Sequence, residues 1–247
     1  MFELIEVSKS FGELSVLNSI SLKIKSGIVT GLVGPNGSGK TSLVNIMSGV
    51  YSIDSGKILL DGKDISRAKS NQIFKLGVSR TFQHIRIFER MTVIENVISA
   101  MISIESISMN ELFGNVRNPE NPKFKHAKKM LEIMELENDS TLFASKLPLP
   151  KRRRLEIARA LASDPKVILL DEPAGGMTPK ETKSLAQLIQ KNVTPGRTCL
   201  LIEHKMDLIE EVCEDLCVLN HGEKIAQGDP LEVFNQPEVI EAYLGKS

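Results

Sequence analysis

The sequence predicts an α/β fold with a mainly parallel core sheet, an N-terminal antiparallel β part and an inserted helical lobe. Short aliphatic runs that are typical of buried strands recur at residues 28–33, 167–170 and 198–203. Segments with helical periodicity separate these runs, and such β/α alternation favours parallel strands. Residues 2–6 and 18–24 instead alternate between apolar and polar side chains, which indicates strands with one exposed face.

The strand predicted at residues 28–33 runs directly into a glycine-rich loop. That loop matches the pattern GxxxxGK[ST] at every fixed position, and a helix predicted over residues 42–50 follows it. Glycines let successive backbone N–H groups turn toward one centre, and the helix start adds unpaired amides and a positive dipole end. The loop therefore predicts a nucleoside triphosphate site rather than an ordinary turn, with Lys40 on the β/γ-phosphates and the Thr41 hydroxyl on Mg²⁺. Its residues are Gly34, Pro35, Asn36, Gly37, Ser38, Gly39, Lys40 and Thr41.

Residues 92–144 have helical periodicity and carry no nucleotide motif. A proline- and asparagine-rich surface loop is predicted at residues 114–123, and a helix at 153–163 leads back into the sheet. We therefore expect a single domain over residues 1–247. Its nucleotide-binding core takes in about 1–90 and 160–247, and its helical lobe takes in 91–159.

Polar side chains stand where other predicted strands end. Gln83 follows a strand at 78–82, Asp171 and Glu172 follow 167–170, and His204 follows 198–203. Ligands bind at the carboxyl ends of strands in α/β sheets, so these side chains are candidates for one site. An aspartate there can hold Mg²⁺ through water, and the next acid can orient or deprotonate a hydrolytic water. Gln83 is either a solvated loop residue or a ligand to the metal and the attacking water.

Composition excludes several other functions. Lys+Arg and Asp+Glu both number 31, and aromatic residues make up 4% with no Trp, so we expect no nucleic-acid partner. Three cysteines show neither paired spacing nor a disulfide framework, which indicates a reducing compartment. There is no signal-peptide pattern and no apolar run near ~18 residues. The expected location is the cytoplasm, unless a partner holds the chain at a membrane.

Together these residues resemble an ABC-type ATPase, with a P-loop NTPase fold, across essentially the whole chain. The resemblance implies ATP and Mg²⁺ as cofactors. It also implies that Phe11 stacks on adenine, that Gln83 is the Q-loop glutamine and a metal ligand, and that Asp171 is the Walker B aspartate. Glu172 is then similar to the catalytic glutamate, and His204 to the switch histidine.

The closer likeness is to LivG-type subunits of branched-chain amino acid importers. It is carried by RTFQHIRIFERMTVIENV, RRLEIARAL, LLDEPAGGMTPKET, LLIEHKMDLI and PEVIEAYLG. It implies an ATP-hydrolysing subunit of an importer for branched-chain or other hydrophobic amino acids, peripheral on the inner face of the cell membrane. Implied partners are transmembrane permease subunits, a homologous ATPase subunit and, indirectly, a periplasmic or extracellular solute-binding protein. A urea or amide importer, a mainly regulatory ATP-binding subunit and a non-transport ABC ATPase remain alternatives.

The chain departs from that family at its signature motif. The family's Leu-Ser-Gly-Gly-Gln falls on residues 147–151, which read Leu-Pro-Leu-Pro-Lys. In the family this segment holds the γ-phosphate bound to the other subunit of a dimer, and prolines have no N–H to offer. The basic run 151–154 either replaces those donors electrostatically or is a solvated helix start. Thr178 stands where the family often has an acidic or amide residue. A heterodimer is therefore favoured over a homodimer.

Overall fold

We describe the fold from a computed structural model of the chain, for residues 1–101, 118 and 120–244. The strands found in that part of the chain are β1 (Phe2–Phe11), β2 (Leu14–Ile24), β3 (Val29–Val33), β4 (Ser55–Leu60), β5 (Lys63–Asp64), β6 (Val78–Arg80), β7 (Val167–Asp171), β8 (Thr198–Ile202), β9 (Asp215–Asn220) and β10 (Glu223–Gly228).

The α-helices of the same residues are α1 (Lys40–Met47), α2 (Ser70–Lys75), α3 (Val93–Ala100), α4 (Pro122–Ile133), α5 (Leu149–Leu161), α6 (Pro179–Leu188), α7 (Met206–Val212), α8 (Pro230–Phe234) and α9 (Pro237–Leu244). Short 3₁₀ turns occur at Glu137–Asp139 and Ala144–Lys146, and a π-helical segment, Ile189–Val193, extends α6. None of the helices in the described residues is long and apolar enough to cross a membrane.

Two sheets form the centre of the molecule. The larger has the strand order β10-β9-β3-β8-β7-β6 and is parallel except for the edge strand β10, which runs antiparallel to β9. The smaller is an antiparallel sheet in the order β2-β1-β4-β5. The predicted fold class is confirmed by this arrangement.

Hydrophobic cores lie on both faces of the larger sheet. Along β7, Ile168 and Leu170 belong to one core cluster while Val167 and Leu169 belong to the other, as strand alternation requires. Helices α3, α4 and α5 place buried side chains in the first cluster, and α1 and the smaller sheet share the second. The helical lobe thus packs on one face of the sheet. The residue limits predicted for the nucleotide-binding core and the helical lobe stay a prediction.

Several predicted boundaries were wrong for identifiable reasons. β1 and β2 are longer than predicted because bulges shift their register, with Glu6 and Ser19 at positive φ, and this breaks the apolar alternation. The helix-compatible stretch 63–76 contains β5 and only the short α2. Helix α5 begins at Leu149, four residues before the predicted start at 153.

The predicted loop at residues 114–123 lies partly outside the described residues. Residues 114–117 and 119 are not described, whereas Pro122 is the first residue of α4, with Asn121 as its N-cap. Proline suits that first helical position because its missing N–H would have no helical partner there. The prediction was therefore wrong at the C-terminal end of this segment.

Candidate active site

The phosphate loop connects β3 to α1 through backbone conformations that favour glycine. Gly34 and Gly39 have φ values of +148° and +103°. A Cβ on Gly34 would stand 2.1 Å from the Leu219 carbonyl oxygen, and a Cβ on Gly39 would stand 2.9 Å from that of Val16. These glycines therefore let the loop pack against β9 and β2. Because α1 begins at Lys40 rather than at residue 42, Lys40 and Thr41 both lie in its first turn.

The loop keeps polar groups that suit a phosphate. The Lys40 ammonium is buried and donates to the carbonyl oxygens of Gly34 (2.8 Å) and Pro35 (2.9 Å). Burial lowers the Lys40 pKa, and the nearby Glu172 carboxylate partly offsets that shift. The Ser38 hydroxyl is buried and has no hydrogen-bond partner among the residues that the structure describes. A triphosphate would give both groups a strong acceptor.

Glu172 is the point at which the predicted catalytic side chains meet. It directly follows β7, and its backbone has a positive φ of +47°, an uncommon conformation for a residue with a side chain. The Gln83 amide nitrogen lies 3.1 Å from both carboxylate oxygens of Glu172. His204 Nε2 lies 3.4 Å from one of them. The structure therefore brings together the ends of β6, β7 and β8, as the sequence predicts.

Asp171 has a partner that the sequence analysis missed. Its carboxylate forms a buried ion pair with Arg80 at 2.7 Å, and its backbone N–H donates to the Thr81 hydroxyl at 3.0 Å. The same guanidinium donates to the Asn45 side chain on α1 at 2.6 Å. Arg80 therefore links α1, β6 and β7 beneath the phosphate loop. The available signal was a basic residue at the end of a short strand, Val78–Arg80.

Glu203 is a second residue that the sequence analysis missed. It is 3% exposed and its carboxylate accepts hydrogen bonds from the backbone of Ala174 (2.9 Å), His204 (2.9 Å) and Lys205 (3.2 Å). The Lys205 ammonium in turn donates to the Met177 carbonyl oxygen. The turn after Glu172 is thus fixed to the segment that carries His204. The sequence feature that could have identified Glu203 is an acidic residue directly after the apolar strand β8.

Phe11 lies at the end of β1, in the hairpin whose second strand contacts Gly39. Its ring is 44% exposed and makes an edge-to-face contact with Tyr51, with 5.1 Å between ring centroids. The Lys9 ammonium lies 5.3 Å from the centre of the same ring. The exposed part of the ring suits contact with a planar ligand. Adenine stacking on Phe11 stays a prediction.

The degenerate signature segment forms the start of α5. Pro148 is the N-cap and Pro150 is in the first turn, whereas the first turn of an intact helix offers four backbone donors without helical partners. Two of those four donors are therefore replaced by proline. The Leu149 side chain is 40% exposed and lies against Gly176 in the turn that follows Glu172.

The basic residues after the signature, 151–154, form hydrogen bonds within their own chain. Their four side chains bind acidic side chains or backbone carbonyls of their own chain: Lys151 to Asp139, Arg152 to Ser145 and Leu147, Arg153 to Gln83, and Arg154 to Glu135. The interpretation as a solvated helix start is therefore wrong for Arg153 and Arg154, whose side chains are 10% and 15% exposed. Replacement of the lost donors across a dimer stays a prediction, with Lys151 and Arg152 as the more exposed side chains. Thr178 likewise serves as the N-cap of α6, in a capping box with Glu181.

Comparison with known proteins places the chain in a family. It matches the model for "ABC transporter" over residues 17–175 and that for "Branched-chain amino acid ATP-binding cassette transporter" over residues 223–247. The chain belongs to the ABC transporter ATP-binding family, and it is an ATPase of that family. Two crystal structures, a nucleotide-free ATP-binding cassette and the ADP conformation of a cassette, each have a TM-score of 0.87 and 31% identity, and cover 100% of this chain and 99% of theirs.

Within that family the chain is similar to branched-chain amino acid transport proteins. It is 36% identical to the high-affinity branched-chain amino acid transport ATP-binding protein BraF of Pseudomonas aeruginosa, over 100% of this chain and 98% of the relative. It is 38% identical to the high-affinity branched-chain amino acid transport ATP-binding protein LivG of Salmonella typhimurium. That match covers 96% of this chain and 94% of the relative. A dimeric bacterial ABC transporter cassette is structurally similar, with a TM-score of 0.75, 25% identity, and coverage of 93% and 98%.

Removing the Lys40 charge should weaken nucleotide binding. A hydrogen bond to a charged group contributes roughly 1.5–3 kcal/mol, so we expect Lys40→Ala to lower affinity for MgATP about 10- to 100-fold and to abolish turnover. Titration with a fluorescent ATP analogue measures this. Lys25→Ala is a matched control, because Lys25 is exposed near the opposite edge of the sheet, where Ser26 pairs with Thr198. Equal affinity of both variants would contradict the phosphate-loop assignment.

Proposed function

We propose that this chain drives a membrane importer for branched-chain or other hydrophobic amino acids by hydrolysing ATP with Mg²⁺. The observation that carries the proposal is the contact of Gln83 and His204 with Glu172, at the sheet edge that also carries Lys40. The full-length similarity to branched-chain amino acid transport proteins supports the choice of solute.

Hydrolysis needs a proton acceptor beside the γ-phosphate. Glu172 suits this role because it directly follows Asp171 at the end of β7, and because its charge acts on the Lys40 ammonium, where it partly opposes the lowering of the Lys40 pKa by burial. Gln83 and His204 orient its carboxylate, so that one oxygen can accept a proton from the attacking water. His204 is half-exposed, so it can also reach the γ-phosphate.

The residues present suit a magnesium ion. Thr41, Gln83 and Asp171 supply a hydroxyl, an amide and a carboxylate oxygen, which are the ligand types that Mg²⁺ prefers. Gln83 donates to Glu172 through its amide nitrogen, so its oxygen is the atom suited to a metal. Asp171 is already paired with Arg80, which suits a contact through water. When bound, the ion would neutralise charge on the β- and γ-phosphates.

A groove next to the catalytic cluster suits a permease. The cavity has a volume of about 630 Å³ and lies between the core and the helical lobe. Phe74 and Phe88 line it and are 47% and 49% exposed. Exposed aromatic rings with basic neighbours are common at protein interfaces. We place a permease segment here, which would hold the chain on the inner face of the membrane.

The solute is tested by transport. We expect vesicles that contain the full chain, its co-encoded permease and ATPase subunits and its solute-binding protein to take up labelled leucine in an ATP-dependent manner. Labelled urea tests the main alternative substrate. Uptake of urea without leucine would contradict the proposed solute. ATP hydrolysis without uptake of either would favour a non-transport ABC ATPase, and ATP binding with almost no hydrolysis by this chain would favour a regulatory subunit.

Charge reversal in the segment 83–97 tests the docking site. We expect the double variant Arg86→Glu, Glu89→Lys to reduce leucine uptake about tenfold or more, because like charges across an interface cost several kcal/mol. ATP affinity should change less than about twofold. The matched control reverses the Glu3–Lys23 ion pair on the smaller sheet. Normal uptake by the groove variant would place the permease elsewhere on the chain.

We further propose that the chain works as a heterodimer with a homologous ATPase subunit. In a homodimer, Pro148 and Pro150 would face both γ-phosphates, and two donors would be lost at each site. With roughly 1.5–3 kcal/mol for each bond to a charged group, this could weaken closure more than a hundredfold. An intact signature on the partner would complete the site built by Lys40, Asp171 and Glu172. The structural relative solved as a dimer supports pairing of cassettes.

The heterodimer predicts unequal catalytic sites. In the assembled transporter we expect Glu172→Gln to keep ATP binding but lower the hydrolysis rate on the order of 10²-fold, because the amide is a poor base. The same change in the partner subunit should have a much smaller effect. Glu214→Gln is a control, since Glu214 is exposed before β9, at the opposite sheet edge. If Glu172→Gln and the equivalent change in the partner subunit lower the ATP hydrolysis rate equally, the proposed asymmetry is contradicted.

A further inference from the structure

The loop at residues 82–86 is held by side chains of α5 through its backbone. One carboxylate oxygen of Glu156 accepts hydrogen bonds from the N–H groups of Phe82 (3.2 Å) and Arg86 (3.3 Å). The Arg153 guanidinium donates to the carbonyl oxygens of Gln83 (2.9 Å) and Phe82 (3.4 Å). Bonds to successive backbone groups fix the path of a loop that no strand or helix supports.

Arg153 and Glu156 form one buried unit. They are 8% and 6% exposed, lie one helical turn apart and approach each other to 3.7 Å. Burial raises the pKa of Glu156, and the two backbone donors and Arg153 oppose that shift. Buried charges are costly to keep unless they are paired and hydrogen-bonded, so simple packing could be served by apolar residues. The retained pair therefore points to a positional role.

This unit contacts two segments that are hydrogen-bonded to Glu172. On one side it binds the backbone of Gln83, whose amide lies 3.1 Å from the oxygens of Glu172. On the other, the Arg153 guanidinium lies 3.0 Å from the position of a Cβ on Gly175. The Gly175 N–H in turn donates to the Glu172 carbonyl oxygen at 3.1 Å. A displacement of Arg153 would therefore move Gln83 relative to Glu172.

The same unit borders the groove. Glu156, Phe82 and Arg86 line the cavity between core and lobe, and Arg159 of α5 donates to the Arg86 carbonyl oxygen. The Arg159 guanidinium also lies 4.9 Å from the centre of the exposed Phe88 ring. The first turn of α5, meanwhile, is the degenerate signature. One helix thus joins the groove, the loop 82–86 and the dimer-facing segment.

We propose that Arg153 and Glu156 are positioning residues for ATP hydrolysis, which hold the loop 82–86 so that Gln83 orients Glu172. The inference rests on the proposed function for the identity of the catalytic carboxylate. A purely structural role would change stability without specific dependence on Gln83.

A double-mutant cycle distinguishes these roles in the assembled transporter. We expect Arg153→Gln and Gln83→Ala each to lower kcat for ATP by about 10- to 100-fold, with KM changed less than about threefold, because a misplaced group slows a reaction by such factors. The double variant should be no more than about threefold slower than the slower single variant, since both act through one contact. If the fold-loss of kcat in the double variant equals the product of the two single-variant losses, the proposal is overturned.

Two further variants keep the test valid if Arg153→Gln folds poorly. Arg153→Met with Glu156→Leu removes both charges of the pair, so neither residue is left as the unpaired half of it; its kcat should fall as in Arg153→Gln. Arg154→Gln removes the same charge on the same helix, but Arg154 binds Glu135 and Ser184 instead, so its kcat should stay within about twofold. A fully active apolar pair, or an equally impaired Arg154→Gln, would contradict the positional role.

Amide hydrogen exchange on the isolated full chain tests the contact without ATP hydrolysis. Glu156→Ala should speed exchange of the Phe82 and Arg86 amides, while Arg154→Gln should leave it unchanged. Unchanged exchange in Glu156→Ala would show that the unit does not hold the loop, and the inference would fail. If the cycle and the exchange data agree but vesicles transport no amino acid, only the proposed function fails.

Discussion

The parallel register of the central strands is the constraint on which the active site depends. Leu32 of β3 and Asp171 of β7 both pair with Ile202 of β8, so these strands end at one level. The phosphate loop, Glu172 and the segment that carries His204 lie just beyond those ends. A one-residue slip in any strand would turn its side chains to the opposite face of the sheet. Burial of both sheet faces opposes such a slip, because each strand fills both core clusters.

Helix α5 connects the less conventional features of this chain. Prolines replace half of the backbone donors that an intact helix start offers. In the dimer that we propose, this would weaken the contact with the nucleotide bound to the partner subunit. The next turns of α5 bind the loop 82–86 through Arg153 and Glu156. In that dimer the helix would keep its contacts within the chain and would contribute less across the interface. This combination suits a subunit whose own catalytic site is completed by a different partner.

Local patterns predicted the phosphate loop, the order of the elements and the meeting of Gln83, Glu172 and His204. These predictions depend on short motifs and on a general property of parallel sheets. The sequence did not reveal Arg80 or Glu203, because their partners lie 91 and 29 residues away along the chain. It also did not reveal that the basic run after the signature binds groups of its own chain. The partner of a charged side chain is decided by how the elements pack together. The partners here lie on separate elements, so local sequence patterns do not identify them.

The central claim is that the carboxyl edge of the sheet receives the triphosphate of ATP. A crystal structure of the full chain with Mg²⁺ and a non-hydrolysable ATP analogue tests it most directly. The account predicts that the Lys40 ammonium leaves the Gly34 and Pro35 carbonyl oxygens for oxygens of the β- and γ-phosphates, with Glu172 facing the γ-phosphate. A triphosphate bound elsewhere, or bound while Lys40 keeps both carbonyl contacts, would contradict the account.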